Sequence, residues 1–108
     1  MKVKRVFNFK LLAPGFGAIT LYPYIFFRAS ENEVSASTLR HEMIHVRQVR
    51  RLGWVKFYSS YLFHYGVGLF KYLDNDKAYR AIPYEVEAYR DQDKIALTKS
   101  ELVELGLD

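Results

Sequence analysis

The chain has 108 residues and a mass of 12.7 kDa, room for one domain with a modest core and too little for two. Apolar residues make up 50% and charged residues 26%, which excludes wholesale disorder, and the net charge of +4 falls short of the dense basic clustering of a nucleic-acid-binding domain. Cysteine is absent, which excludes a disulfide framework, a thiolate metal site and a cysteine nucleophile, and fits a reducing, cytoplasmic setting.

The elements follow in chain order. Lys2, Lys4, Arg5 and Lys10 begin the chain, but Pro14, Gly15 and Gly17 interrupt the apolar stretch behind them, so no secretory leader is expected. Residues 3–11 are a weak strand candidate, and Pro14-Gly15-Phe16-Gly17 is a turn. Over 19–27, Ile19, Leu21, Ile25 and Phe27 alternate with Thr20, Tyr22, Tyr24 and Phe26, the period-two pattern of a strand. Pro23 cannot donate to a ladder, so this strand should lie at a sheet edge or break near Pro23.

Ser35 or Ser37 can cap a helix running to about Leu52, with Gly53 as its stop. A second helix covers 54–73. It is long enough to span a bilayer, but Lys56, Ser59, Ser60, His64 and Lys71 make it too polar for that. It is expected as a buried core helix, with interfacial membrane contact as the alternative. Asp74-Asn75-Asp76 is a polar break, and Pro83 opens a third helix expected to run to about Leu97. Thr98 and Glu101 have capping-box spacing for a short last helix ending at Gly106. An extended first third followed by helices makes the class α+β, in a single domain over 1–108.

His41-Glu42-Met43-Ile44-His45 is an H-E-x-x-H pattern. Residues four apart share one helix face, so both imidazoles can reach a single ion, and Glu42 can reach a water on that ion. With three His and seven Glu in the chain, chance supplies about 0.005 such matches. In helical projection Arg40, Arg47 and Arg51 lie on one side, and His41, Glu42, His45, Val46, Val49 and Leu52 on the other. The motif thus shares the face expected to be buried.

A catalytic zinc usually takes three protein ligands, so one is missing. Gln48 and Arg51 stand where the extended H-E-x-x-H-x-x-G-x-x-H form has its glycine and third histidine. The remaining candidates are His64, Asp74, Asp76, Glu85 and Glu87. Projection of the third helix decides among them. Glu85 shares a face with Ala88, Tyr89, Gln92 and Ala96, whereas Glu87 lies with Arg90, Asp91 and Lys94 on a charged, solvated face.

His41-Glu42-Met43-Ile44-His45 followed by Glu85-Val86-Glu87-Ala88 resembles the gluzincin metallopeptidases, in which the first Glu of an E-x-x-A helix is the third ligand. The small size is similar to the minigluzincins and to compact H-E-x-x-H proteins of bacteria and phages. The resemblance covers about 19–97 and implies a zincin-like order: small N-terminal sheet, active-site helix, intervening helix, glutamate helix. Two departures are visible. Tyr89 stands where many relatives have Asp, and no long backing helix precedes the sheet, so the 54–73 helix is expected to cover the core instead.

The resemblance implies peptide-bond hydrolysis with zinc on His41, His45 and Glu85, and with Glu42 as the base that activates the zinc-bound water. A further donor should face the developing oxyanion. His64, Tyr79, Tyr84 and Tyr89 are open, with Tyr89 preferred because it flanks the inward face of its helix. The expected partner is a peptide or protein substrate, with no nucleic acid and no stable membrane span. The 19–27 strand could pair with an extended substrate at a sheet edge. Two alternatives are a catalytically weak or inactive zincin-like binding module, and a small basic nucleic-acid-binding domain using Arg40, Arg47, Arg50, Arg51 and Lys56.

Overall fold

A computed structural model describes residues 2–12 and 16–107, and the Pro14-Gly15 part of the expected turn lies outside these. Three short strands come first: β1 (Lys4–Val6), β2 (Ala18–Leu21) and β3 (Tyr24–Phe27). Five helices follow: α1 (Ala36–Leu52), α2 (Trp54–Tyr72), α3 (Asn75–Ala81), α4 (Pro83–Asp91) and α5 (Lys99–Leu105). The class is α+β.

The 19–27 pattern breaks near Pro23, one of the two outcomes expected of it, into β2 and β3. The chain turns back at Tyr22-Pro23, where proline removes a ladder donor, and β2 pairs antiparallel with β3. β1 joins the other side of β3 in parallel, giving the order β1-β3-β2. Central β3 buries Ile25 and Phe27 completely against Met43 and Val46 of α1, and Val3 and Leu105 complete this core.

α1 begins where Ser35 accepts from the Thr38 amide and stops at Gly53, whose φ of 84° suits glycine. The arginine side of α1 is not the solvated face expected of it. The chain after α4 crosses over it: Arg40 donates to the Gln92 carbonyl and pairs with Asp93, Arg47 pairs with Glu101, and Arg50 pairs with Glu104. These cations are engaged within the protein, which removes most of the basic surface the nucleic-acid alternative needs.

Three further expectations are corrected. Asp74 is a helix cap rather than part of a break: its side chain accepts from the Lys77 amide and starts α3. α4 ends at Asp91, so Ala96 and Leu97 lie beyond it, and Gln92 and Asp93 turn toward α1. The last correction concerns α2, which does not cover the core: among its residues only Phe57 and Gly68 are buried. Gly68 lets α3 approach closely, since a Cβ there would stand 2.9 Å from the Ala78 Cα. Thr98 and Glu101 form the expected capping box of α5, which ends at Gly106.

Candidate metal centre

α1 and α4 bring three side chains to one buried point. His41, His45 and Glu85 are no more than 5% exposed. One ligand atom from each lies within 4.8 Å of the others. His41 Nε2 stands 2.9 Å from Glu85 Oε1, and His45 Nε2 stands 3.0 Å from Glu85 Oε2. Pro83 starts α4 and places Glu85 in its first turn, aimed at the histidines of α1.

The far nitrogens of both rings are already committed. His41 Nδ1 lies 2.8 Å from Gln92 Oε1, and His45 Nδ1 lies 2.8 Å from Gln48 Oε1. Both amides are oriented by their other ends. Gln48 Nε2 donates to the Tyr84 carbonyl and to Glu87, while Gln92 Nε2 donates to Ser37, whose hydroxyl donates on to Asp93. The amide oxygens therefore face the rings and can only accept, so in the neutral imidazoles the protons sit on Nδ1. Each Nε2 then presents a lone pair to a carboxylate oxygen. Acceptors at that range need a cation or a proton between them.

His45 Nε2 is buried and has no well-formed hydrogen bond, as a vacant ligand atom would. Two imidazole nitrogens and one carboxylate oxygen match the donor set of a catalytic zinc, which leaves a fourth position open. The residues fit the metal. In the protein alone, burial pulls the His45 imidazole down, but the Glu85 carboxylate outweighs it and raises the ring to about 9. Burial pushes Glu85 up, and the two histidines more than reverse this, holding its carboxyl well below the usual range.

Glu42 lies beside these residues without joining them, its Oε2 3.9 Å from His41 Nε2. Thr20 of β2 donates to Glu42 Oε1 at 3.0 Å and so ties this carboxylate to the sheet. Burial raises Glu42 above the usual carboxylate range, against the pull of His45 and His41. Tyr61 of α2 donates to Glu85 Oε2 at 2.6 Å. Burial and the Glu85 charge both raise its phenol, keeping the donor protonated.

Two cavities meet at Glu42 and Tyr79. One, of about 340 Å³, is lined by Thr38, His41, Arg80, Tyr89 and Gln92. The other, of about 460 Å³, is mainly apolar, with Ile19, Leu21, Phe57, Tyr58, Tyr61 and Leu62 on its walls.

Chain, curated-protein and solved-structure comparisons return nothing: no family model, curated protein or known structure matches.

The remaining candidates fall elsewhere. His64 packs beside Phe63, Asp76 pairs with Arg80, and Asp74 caps α3. Glu87 is not simply solvated: it accepts from Gln48 at 2.5 Å and lies 3.9 Å from Arg51. Tyr84 bonds Ser60. Tyr89 packs its ring on His41, with centroids 4.4 Å apart, and points its hydroxyl at Tyr79. It lines one cavity, whereas Tyr79 lines both.

Sequence reasoning missed Gln48, Tyr61 and Thr20 and gave Gln92 no role. Only the two glutamines carry a signal. Gln48 follows His45 by three positions and projects beside His41, and Gln92 shares the projected face of Glu85.

Proposed function

We propose that this chain is a zinc-dependent peptidase with a zincin-like arrangement, in which His41, His45 and Glu85 hold the metal and Glu42 is the general base. The observation that carries the reading is the convergence of two buried Nε2 atoms on one buried carboxylate, with each Nδ1 held by an amide oxygen. A zinc ion on these ligands would polarise a peptide carbonyl and acidify a water beside it.

The protein's own groups supply the rest. Glu42 accepts a proton from water in the site and passes it to the leaving amine, with Thr20 holding the carboxylate in place. Burial moves Glu42 toward neutrality, where it both takes and returns a proton readily. Tyr79 replaces Tyr89 as the preferred donor to the carbonyl oxygen. It stands where the cavities join, and its hydroxyl carries a proton, with the Tyr89 oxygen 3.5 Å away. Burial raises the phenol, which keeps that proton on.

The open edge of β2 runs along the apolar cavity and suits an extended substrate. Ile19 and Leu21 turn their backbone groups to β3, and Tyr58 donates to the Thr20 carbonyl and accepts from the Tyr22 amide, so Ala18 and the Thr20 amide are left for pairing at the open edge.

The test is a mixed peptide library read by mass spectrometry, with zinc-loaded wild type, Glu42→Gln and chelated protein compared. Wild type should cleave, and Glu42→Gln should lose about 10²- to 10⁴-fold while keeping its zinc. Zinc bound without cleavage by wild type would overturn the peptidase reading and leave a metal-binding module.

A further inference from the structure

α2 is apolar on the side that none of the described residues covers. Phe57 and Gly68 face the protein, and Val55, Leu62, Phe63 and Phe70 project from the opposite side within an arc of about 100° that also holds the small residues Ser59 and Gly66, with Leu73 just past the helix end. Phe70 and Leu73 are 88% and 87% exposed. A contiguous apolar face of this kind on a small protein marks a docking surface.

Charge indicates what it docks on. None of the 19 residues of α2 is acidic, and Lys56 and Lys71 stand near its two ends. The acids that follow are already occupied, Asp74 as the cap of α3 and Asp76 with Arg80. Trp54 and Tyr72 occupy the first and last positions, the side chains that favour a membrane–water boundary. The Lys71 ammonium rests 5.2 Å above the Tyr72 ring, beside the apolar strip. No helix among the described residues is long and apolar enough to cross a membrane, which leaves a helix lying in the plane of the surface.

We propose that the outer face of α2 docks on an anionic lipid bilayer, with its apolar side chains in the boundary region and Lys56 and Lys71 among the headgroups. Leu62 lines both the groove on this face and the apolar cavity beside Glu42, so docking would set that cavity next to the membrane surface. The proposal does not depend on the metal chemistry.

Trp54, the single tryptophan of the chain, is 61% exposed and reports directly on docking. The experiment mixes the full chain with vesicles of phosphatidylcholine alone, or of phosphatidylcholine and phosphatidylglycerol at about three to one. Co-sedimentation and Trp54 emission are recorded at low and high salt. Binding and a blue shift are expected with the anionic vesicles and should weaken in high salt. Phe63→Gln/Phe70→Gln alters only exposed positions and should bind at least about tenfold more weakly. Lys56→Gln/Lys71→Gln should lose about fivefold per lysine on anionic vesicles only. Folded wild type that leaves anionic vesicles unbound, with unshifted emission, would overturn the proposal. So would sedimentation equilibrium showing a dimer that Phe63→Gln/Phe70→Gln dissolves, without vesicle binding, because the face would then belong to a second copy.

Discussion

Gln92 lies beyond the last turn of α4, yet its side-chain oxygen meets His41 Nδ1 at 2.8 Å, 51 positions earlier in the chain. It thereby sets which ring nitrogen of His41 faces Glu85. Gln48 does the same for His45 from within α1. Groups of this kind orient a metal-binding imidazole and keep the free lone pair on the useful nitrogen.

Gln48→Leu and Gln92→Leu should each weaken zinc binding by about 10- to 100-fold while leaving all three ligands in place. Competition against a chromophoric chelator measures this directly. Unchanged affinity in both variants would mean that the amides only fill space.

Removing a ligand should be more severe. Wild type should bind about one zinc per chain by elemental analysis, and Glu85→Ala should not retain it. Because His41 and His45 on α1 and Glu85 on α4 converge, zinc should raise the melting temperature of wild type and a chelator should reverse the gain. A melting curve indifferent to zinc would speak against the centre. Full occupancy kept in Glu85→Ala but lost in Glu87→Ala would show that the third ligand was misassigned.

The two glycines of α2 separate packing from propensity. Gly68→Ala would push a Cβ into the Ala78 backbone, and a loss of about 1–3 kcal/mol is expected in denaturant unfolding. Gly66 has open space around its Cβ position, so Gly66→Ala should gain up to about 1 kcal/mol from helix propensity. Equal effects at both sites would contradict the α2–α3 contact.

Acid should loosen α5. The Arg47 guanidinium holds the Glu101 carboxyl below its ordinary 4.5. A carboxyl depressed in the folded state stabilises above about 4.5, and that contribution is lost as pH falls through the folded value. Glu101→Gln should therefore cost about 1 kcal/mol at pH 7 and less at pH 3, measured by urea unfolding at both pH values. A gap that does not shrink between pH 7 and pH 3 would assign the effect to packing.

What could be read from the chain alone depended on how local the cause was. The start and stop of α1 and the capping box of α5 lie within a few residues of the helices they bound, and they stand where expected. The spacing of His41 and His45 is local in the same sense. Glu85 was reachable because a helical face can be projected without knowing its partner. α3 was missed because seven residues carry little periodicity and its cap, Asp74, resembles a loop residue. Where α4 ends is decided by distant groups on α1, Ser37 and Arg40, which engage Gln92 and Asp93. α2 carries apolar side chains on more than one side, so its pattern could not show which side would be covered. Thr20 and Tyr61 act across the fold, and no spacing rule reaches them.

The clamp that α5 places on the rest of the fold has a consequence for how the molecule comes apart. Its helix faces both ways: Glu101 and Glu104 take Arg47 and Arg50, while Glu104 also accepts from the Val3 amide and the Leu105 carbonyl accepts from Arg5. The last two contacts span 101 and 100 positions, nearly the whole length of the chain. Peeling α5 away would uncover Val3 and release both arginines at once, so the first strand would keep its pairing with β3 but lose the cover on its buried side. A ribosome-tethered chain halted before Glu101 should accordingly remain open to proteases along its sheet, and become resistant abruptly once α5 has emerged.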